Sequence, residues 1–485
     1  MSPRTLVLLG ALALAGPAAG QTVGYAPLFG HDTDAVDGFG ADVDLAGDVA
    51  LVLAPRQGPV AGGAAYVFRR DPATDTWAEE AQFFPPPNRV FGGSVSLLPG
   101  PPGTPERMQA LIGVAGVTDL FERTASGAWV YRREFSAPGP GRLVRDASGA
   151  EYAVAVRADG TIHVWRRPAG ATGPGDWVET VLTPAGGISQ GALAVWASPD
   201  GAVSVAAPDA GPRPYEVVVL RRDPSGAWSE TARLRGSASE PAHDFGEGVA
   251  GAAGPGGDVL AVGATFRQPA NDRSGQAYVF RRDPATGAWA EAARLGPATL
   301  NPLYGRSVAA EGGTVAVNGL VELWFYRADA GWAETGRVRY YPNLGLIGGY
   351  AGPALSGNRV LLGDDENTAK GEQAGAAVVL TVPEAWTPDE PGPPSETAPG
   401  ALAVAVRPNP ARARVEVAVS LAEAGPARVV VLDALGREVA VVLGGEATAG
   451  ERVVVLDTSQ WPAGVYVVRA SAGASVASAR LVVAR

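Results

Sequence analysis

The chain has 485 residues, too many for one ordinary core, and its 46% hydrophobic and 18% charged residues suit packed domains rather than a disordered chain. The net charge of −11, with no Lys/Arg cluster beyond isolated Arg-Arg pairs, excludes the electrostatic footprint of a nucleic-acid binder. The absence of cysteine excludes disulfides, thiol catalysis and Cys-based zinc sites, and the 65 Gly and 41 Pro have no triplet period, which excludes collagen.

In chain order, the first element is an export signal. Arg4 gives a positive start, Leu6 to Ala15 form a short apolar stretch, and Ala18-Ala19-Gly20 supply small residues before Gln21. This pattern predicts a secretory signal peptide over residues 1–20, too short to span a bilayer stably. No later segment reaches about 18 uninterrupted apolar residues, so no transmembrane segment is expected in the mature chain.

Residues 21–386 contain a repeat. Gly63-Ala-Ala-Tyr66-Val-Phe68-Arg-Arg-Asp71-Pro-Ala-Thr-Asp-Thr-Trp77 matches Gly275-Gln-Ala-Tyr278-Val-Phe280-Arg-Arg-Asp283-Pro-Ala-Thr-Gly-Ala-Trp289, and weaker copies follow the same plan. Trp77, Trp129, Trp177, Trp228, Trp289, Trp332 and Trp386 recur at gaps of 43 to 61 residues. Short Val/Ala/aromatic runs between Gly- and Pro-rich turns, at a period near fifty, predict four-stranded propeller blades. In the fifth unit the strands are expected at Glu247 to Gly251, Asp258 to Gly263, Gln276 to Arg282 and Trp289 to Leu295. Arg-Arg-Asp-Pro makes the turn into the fourth strand, where the Trp ring is expected to anchor against the third. The last unit reaches only Trp386, so residues 21–37 are expected to supply its fourth strand and close the ring, which removes two open sheet edges.

Phe39-Gly40, Phe91-Gly92, Phe245-Gly246 and Tyr304-Gly305 precede the first strands. Runs such as Val259-Leu-Ala-Val-Gly263-Ala264 follow, then Tyr-Val-Phe-Arg-Arg. Together these resemble FG-GAP repeats, the units of integrin α-subunit propellers and of many bacterial surface proteins. The resemblance implies seven blades. Blades of that family often carry an Asp-x-Asp-x-Asp-Gly calcium loop. Here the corresponding loops read Ala46-Gly47-Asp48, Ser198-Pro-Asp200-Gly201, Gly256-Gly257-Asp258, Glu311-Gly-Gly313 and Ser356-Gly-Asn358, too poor in oxygen ligands for calcium. Asp32, Asp34 and Asp37 lie close in sequence but read as solvated turn residues. No metal and no cofactor is expected.

A Pro-rich linker over 387–399 leads to residues 400–485, where apolar and polar residues alternate with turn signals every eight to twelve positions. Pro408-Asn409-Pro410, Val429 to Val439 with Gly436 at a hairpin corner, Ala449-Gly450, Pro462-Ala-Gly464-Val465-Tyr466 and Arg480 to Arg485 resemble the type A sorting domain of the type IX secretion system. That resemblance implies recognition by the outer-membrane translocon after passage to the periplasm, and a secreted or cell-surface destination. The fold class expected overall is all-β: a seven-bladed β-propeller followed by a small immunoglobulin-like β-sandwich.

Chemistry is sparse. His31, His163 and His243 are scattered without zinc-peptidase spacing, and His163 sits in a strand pattern. Gly187-Ile188-Ser189-Gln190-Gly191 fits the nucleophile-elbow spelling but leads into a strand rather than a helix, so no catalytic residue is nominated. Loop lengths say more. The loops between second and third strands are long in units one (Pro55 to Gly62), four (Pro208 to Pro214), five (Thr265 to Gly275) and seven (Asp364 to Gly375), and recognition concentrates on such loops. A binding face of Arg56, Arg213, Phe266, Arg267, Asn271, Asp272, Asp364, Asp365 and Glu366 is expected, with an unknown surface protein or glycan as partner. The function expected is an adhesion or interaction module; the alternative is an extracellular polysaccharide-acting hydrolase or lyase on the same scaffold.

Overall fold

The structure is a computed structural model. It describes residues 23–382 except 35–36, 57–61, 86–88, 102, 105–106, 115, 138, 212–215, 238–242, 267–273, 298–300, 302, 320–321, 340–351 and 366–373. It also describes residues 403–483 except 408–413, 422–424, 433–436, 449, 460, 463 and 473–474. The chain divides into two compact units at Asp389/Glu390. The signal segment 1–20, the linker 387–399, Trp386 and the Gly436 corner lie outside the described residues.

Among the described residues the regular secondary structure is strand, with no helix. The first unit holds seven four-stranded antiparallel sheets. They comprise Val43–Ala46, Val49–Ala54, Ala64–Asp71 and Thr76–Phe83; then Phe91–Leu98, Gln109–Val114, Val117–Arg123 and Trp129–Phe135; then Gly141–Arg145, Glu151–Val156, Ile162–Arg167 and Val178–Leu182. The fourth has Ala194–Ala197, Val203–Pro208, Val217–Arg222 and Trp228–Leu234, and the fifth His243–Gly254, Gly257–Phe266, Gln276–Arg282 and Trp289–Leu295. The sixth has Ser307–Glu311, Thr314–Asn318, Glu322–Arg327 and Glu334–Arg339. The seventh takes Ala354–Ser356, Arg359–Asp364 and Ala376–Thr381 from late in the chain, and its outermost strand, Gly24–Leu28, from the beginning. Each sheet's first strand neighbours the first strand of the next, and Ala354–Ser356 neighbours Val43–Ala46. These sheets and their neighbour relations agree with a β-propeller.

Burial explains the sequence pattern. Second strands such as Val49–Ala54, Glu151–Val156 and Val203–Pro208 are buried at every position, because neighbouring sheets cover both faces. They therefore read as unbroken Val/Ala runs rather than alternations. Outer strands keep one face wet, and Trp289–Leu295 alternates accordingly.

The aromatic-Gly pairs serve the spacing between sheets. Phe39, Phe91, Phe245 and Tyr304 are fully buried. Phe39 bridges to Gly375 of the last sheet and its N–H donates to the Ala374 carbonyl at 3.0 Å. Gly305, at φ +85°, lies so close to the fifth sheet that a Cβ would strike the Gln276 carbonyl, and one at Gly263 would strike the Gly305 carbonyl. Only glycine permits that approach. In the fifth sheet the third and fourth strands lie where the sequence places them. The first two are longer, because the ladder continues from Phe245/Ala264 to His243/Phe266 and carries them into the expected loop.

The second unit has a three-stranded sheet (Ala403–Arg407, Arg414–Leu421, Gly450–Asp457) and a four-stranded sheet ordered Glu438–Ala447, Gly425–Leu432, Gly464–Ala472, Ser475–Val483. Val415, Val417 and Val419 of one share a core with Val429, Val431, Val468 and Leu481 of the other. Gly464 opens the strand carrying Tyr466, whose hydroxyl donates to the Pro462 carbonyl at 2.8 Å.

Candidate binding face

The loops joining second to third strands, and those joining one sheet to the next, emerge at the same end of the first unit. Of the predicted face, the structure joins Arg56 and Asp365. Their Nη2–Oδ2 separation is 3.8 Å, and Arg56 also lies against Gly38, whose φ is +66°. This pair ties the first sheet to the last, so part of its charge is spent on the seam. Asp364 is a correction: it ends the strand Arg359–Asp364 and is 0% exposed, because Gly40 brings the first sheet's backbone against its amide. It cannot be a surface contact. Phe266 ends the strand Gly257–Phe266 opposite His243. Arg213, Arg267, Asn271, Asp272 and Glu366 lie outside the described residues.

Sequence reasoning missed the charged inner rim. Asp42 and Asp44 each reach the next sheet, where Oδ2 of Asp42 accepts the Val95 N–H at 2.8 Å and Oδ2 of Asp44 the Leu97 N–H at 2.6 Å. Arg142 of the third sheet comes within 3.9 Å of Asp42. Burial raises both carboxyls, Asp44 to about 6, against the hydrogen bonds and Arg142 that favour the charge. Ser94 and Ser96 repeat the device one sheet on, accepting the N–H of Gly141 at 2.8 Å and of Leu143 at 3.1 Å. A hydroxyl and a carboxylate in the same role identify it as stapling between first strands. The signal was available as polar residues at i and i+2 in a short innermost strand. Further round the rim, Glu247 accepts from the Thr265 hydroxyl and stands 3.9 Å from Arg306.

At the opposite end, the paired arginines also stitch sheets together. Arg221 donates to Asp258 at 2.7 Å and to Ser198 at 3.0 Å, joining sheets four and five from a nearly buried position. Glu80 accepts from Arg69 of its own sheet, and from Arg123 at 2.5 Å and the Trp129 indole at 3.0 Å in the next. Arg167 bonds Glu151 and, at 2.7 Å, Glu122 of the second sheet, while Gln109 bonds Glu151 at 2.9 Å. The Arg145, Arg167 and Gln109 partners hold Glu151 below the usual carboxylate range although burial opposes them.

The remaining sequence candidates resolve as structure. His163 is buried, with Nδ1 2.6 Å from Glu179 and Nε2 3.1 Å from Thr161. Ile188 bridges to Asp209 and the Ser189 N–H donates to Pro208, so the Gly-x-Ser-x-Gly spelling is a turn between sheets. Asp32 accepts from the Tyr66 hydroxyl at 2.7 Å and from Gln82 at 3.1 Å, and Asp37 accepts the Asp34 N–H at 2.6 Å. His31 pairs with Glu79 at 2.8 Å, and that bond raises its pKa. Among the described residues no group of three or more His, Asp or Glu is placed to hold a metal, and no helix is long and apolar enough to cross a membrane.

No curated protein is significantly similar to the chain in sequence. Among solved structures, PorZ of Porphyromonas gingivalis, described as an essential bacterial surface component of its type IX secretion system, is similar at 13% identity and a TM-score of 0.43, over 97% of this chain and 61% of PorZ. The chain thus spans less than two thirds of PorZ. The periplasmic gluconolactonase PpgL of Pseudomonas aeruginosa is 16% identical at a TM-score of 0.42, over 62% of this chain and 85% of that one. A putative 6-phosphogluconolactonase of Bacteroides fragilis is 12% identical at a TM-score of 0.40, over 62% and 84%. Residues 405–484 match the secretion system C-terminal sorting domain, and that domain implies export by the type IX system to the cell surface or outside.

Proposed function

We propose that residues 21–386 form a closed seven-bladed β-propeller of the FG-GAP type, which serves outside the cell as an adhesion or interaction module. Residues 1–20 direct the chain to the periplasm, and residues 400–485, a small immunoglobulin-like sandwich, pass it to the type IX translocon. The sorting-domain match over 405–484 carries this reading. Support for a binding role comes from the use of the polar residues. Asp42, Asp44, Glu80, Glu151 and Asp258 are committed to bonds between sheets, as a stiff scaffold for variable loops requires. The contacts are made by the loops around Arg56, Arg213, Phe266 to Asp272 and Asp365-Glu366, with a surface protein or glycan as partner.

Expression of the full chain in a bacterium with a type IX system tests both halves. The chain is expected at the surface or in the medium, and deletion of residues 400–485 should leave it in the periplasm. Equal export of the deleted chain would overturn the sorting role. An array of surface proteins and glycans, probed with the exported chain, should show binding that is lost when residues 267–273 and 366–373 are both replaced by Gly-Ser segments. Binding unchanged by that replacement would remove the loop face from the proposal.

A further inference from the structure

One strand position breaks the internal repeat in a way that points to a ligand. In five sheets the pairing of third and fourth strands shifts register once, at Val67/Phe68, Leu120/Phe121, Val219/Leu220, Val279/Phe280 and Phe325/Tyr326. The shift aligns the sheets residue by residue. Two positions before its second residue stand Tyr66, Val218, Tyr278 and Trp324, all buried; in the second sheet the same position is Asp119. The residues opposite are Gln82, Arg233, Arg294 and Arg337, but Asp119 faces Glu134. Two carboxylates directly opposed across a ladder repel each other. A side chain smaller than an aromatic ring also leaves room at this site.

That room is taken by Arg89, from the loop ahead of Phe91–Leu98. Its Nη2 lies 2.5 Å from Glu134 Oε2, but Nη1 is 3.6 Å from Asp119 Oδ1, too far for a hydrogen bond. Asp119 is 0% exposed, and neither of its oxygens, nor Nη1 of Arg89, has a hydrogen-bond partner among the described residues. Burial raises the Asp119 carboxyl to about 6 in spite of Arg89. Beside the acids runs an aromatic floor. Phe83 stacks on Phe121 with centroids 4.6 Å apart, and Phe121 meets Tyr131 edge-on at 5.8 Å. Tyr131 is 48% exposed, and its hydroxyl lies within the field of Asp119, Glu134, Arg89 and also Arg133, whose guanidinium sits 4.6 Å from the centroid of the Phe135 ring.

We propose that Asp119, Glu134 and Tyr131 form a binding site for an alkylammonium group, and that Arg89 is a resident cation which the ligand displaces. Two carboxylates against one guanidinium leave the site short of positive charge. A compact ammonium can place three N–H donors on the acids where the planar fork of Arg89 reaches only one at bonding distance. The exposed face of Tyr131 adds a cation–π contact, and the alkyl stem or sugar ring behind the nitrogen would lie on the aromatic floor. A lysine side chain and an amino sugar both supply this chemistry.

The test uses the full chain titrated with Nα-acetyl-lysine methylamide and with glucosamine, each paired with a neutral counterpart, Nα-acetyl-norleucine methylamide and N-acetylglucosamine. Calorimetry should show binding of at least one amine and of neither neutral compound, and the amine that binds identifies the source. Arg89→Ala should tighten binding about tenfold, and Asp119→Asn should abolish it. Asp119→Tyr supplies the aromatic that sheets one, five and six carry at this position, as Tyr66, Tyr278 and Trp324, so it should keep or raise the unfolding temperature while losing all binding. Absence of amine binding in both the wild type and Arg89→Ala, or binding that survives Asp119→Tyr, overturns the proposal.

Discussion

The seam between the fifth and sixth sheets and the seam between the second and third are the same joint built from different materials. At the first, backbone meets backbone. Gly263 lies against Gly305, a Cβ on Gly248 would stand 3.0 Å from the Ser307 Cα, and Tyr304 packs edge-on to Trp324 with centroids 4.9 Å apart. At the second, side chains fill the gap and carry charge: Ser94 and Ser96 bond the next strand's amides, and Glu122, Glu151, Arg167 and Gln109 form a nearly buried network. A repeat architecture needs only that each sheet bury its neighbour, so the chemistry of the joint is free to drift.

The glycine seam should be the more brittle. Gly305→Ala combines a left-handed backbone with a clash against the Gln276 carbonyl, neither of which a rotamer change relieves, and about 4 kcal/mol of lost stability is expected. Gly47→Ala is the control, since it shares the positive φ, at +59°, but faces open space. Urea unfolding of the full chain should show a loss at least twice as large for the first. Equal losses would assign the effect to the dihedral angle alone. At the charged seam, Arg167→Ala removes the guanidinium that meets both Glu122 and Glu151, while Arg145, Gln109 and Arg132 keep a bond to one or the other, and should cost about 2 kcal/mol. Replacing Arg167, Glu122 and Glu151 together with Arg145 and Gln109 by Met and Leu should recover most of that loss, because an apolar filling needs no partners. A multiple variant as weak as the single one would show that the network does more than fill space.

This contrast also explains what could be read from the sequence. The glycine seams advertise themselves, because close approach admits one residue type and the Phe-Gly and Tyr-Gly pairs recur in register. The third and fourth strands of sheet five were legible to the residue, since Arg-Arg-Asp-Pro and Trp289 punctuate them. The charged seams were silent. Arg123, Arg167 and Arg221 look like turn residues until the fold brings a carboxylate from the neighbouring sheet beside them. Asp364 was misplaced on a loop because nothing local reveals that Gly40, more than three hundred residues earlier, covers it. Pairing of Gly24–Leu28 with Ala376–Thr381 is equally remote, yet it was foreseeable, because a last unit lacking one strand demands a donor.

Smaller effects sharpen the comparison within the inner rim. Asp44 titrates near 6 in the folded chain against an ordinary value of 3.8, because its carboxyl is withdrawn from water. A folded state that holds a proton more tightly than the unfolded one gains stability as pH falls from about 6 to about 4, and forgoes that gain at pH 7. Asp44→Asn keeps an oxygen for the Leu97 N–H, gives up the bond that Oδ1 accepts from the Leu45 N–H, and removes the charge. It should therefore be more stable than the wild type by about 1–2 kcal/mol at pH 7, with the difference vanishing near pH 4. Unfolding temperatures measured across that range decide the point, and a difference that grows toward acid would reverse the sign of the argument.

The smallest effect compares two copies of one residue. Trp129 and Trp289 open equivalent strands and pack at equivalent seams, but the Trp129 indole donates to Glu80 across the joint, whereas the Trp289 nitrogen is buried with no partner among the described residues. Replacement by Phe removes a similar apolar area at both sites. At Trp129 it also removes a hydrogen bond to a charged acceptor, worth about 1.5 kcal/mol; at Trp289 it relieves a buried donor that bonds nothing. Trp129→Phe is accordingly expected to be less stable than Trp289→Phe by about 1–2 kcal/mol. Combining each with Glu80→Gln in a double-mutant cycle should show coupling for Trp129 alone. Coupling of the same size at both sites would mean that the indole bond to Glu80 is not what sets Trp129 apart from Trp289.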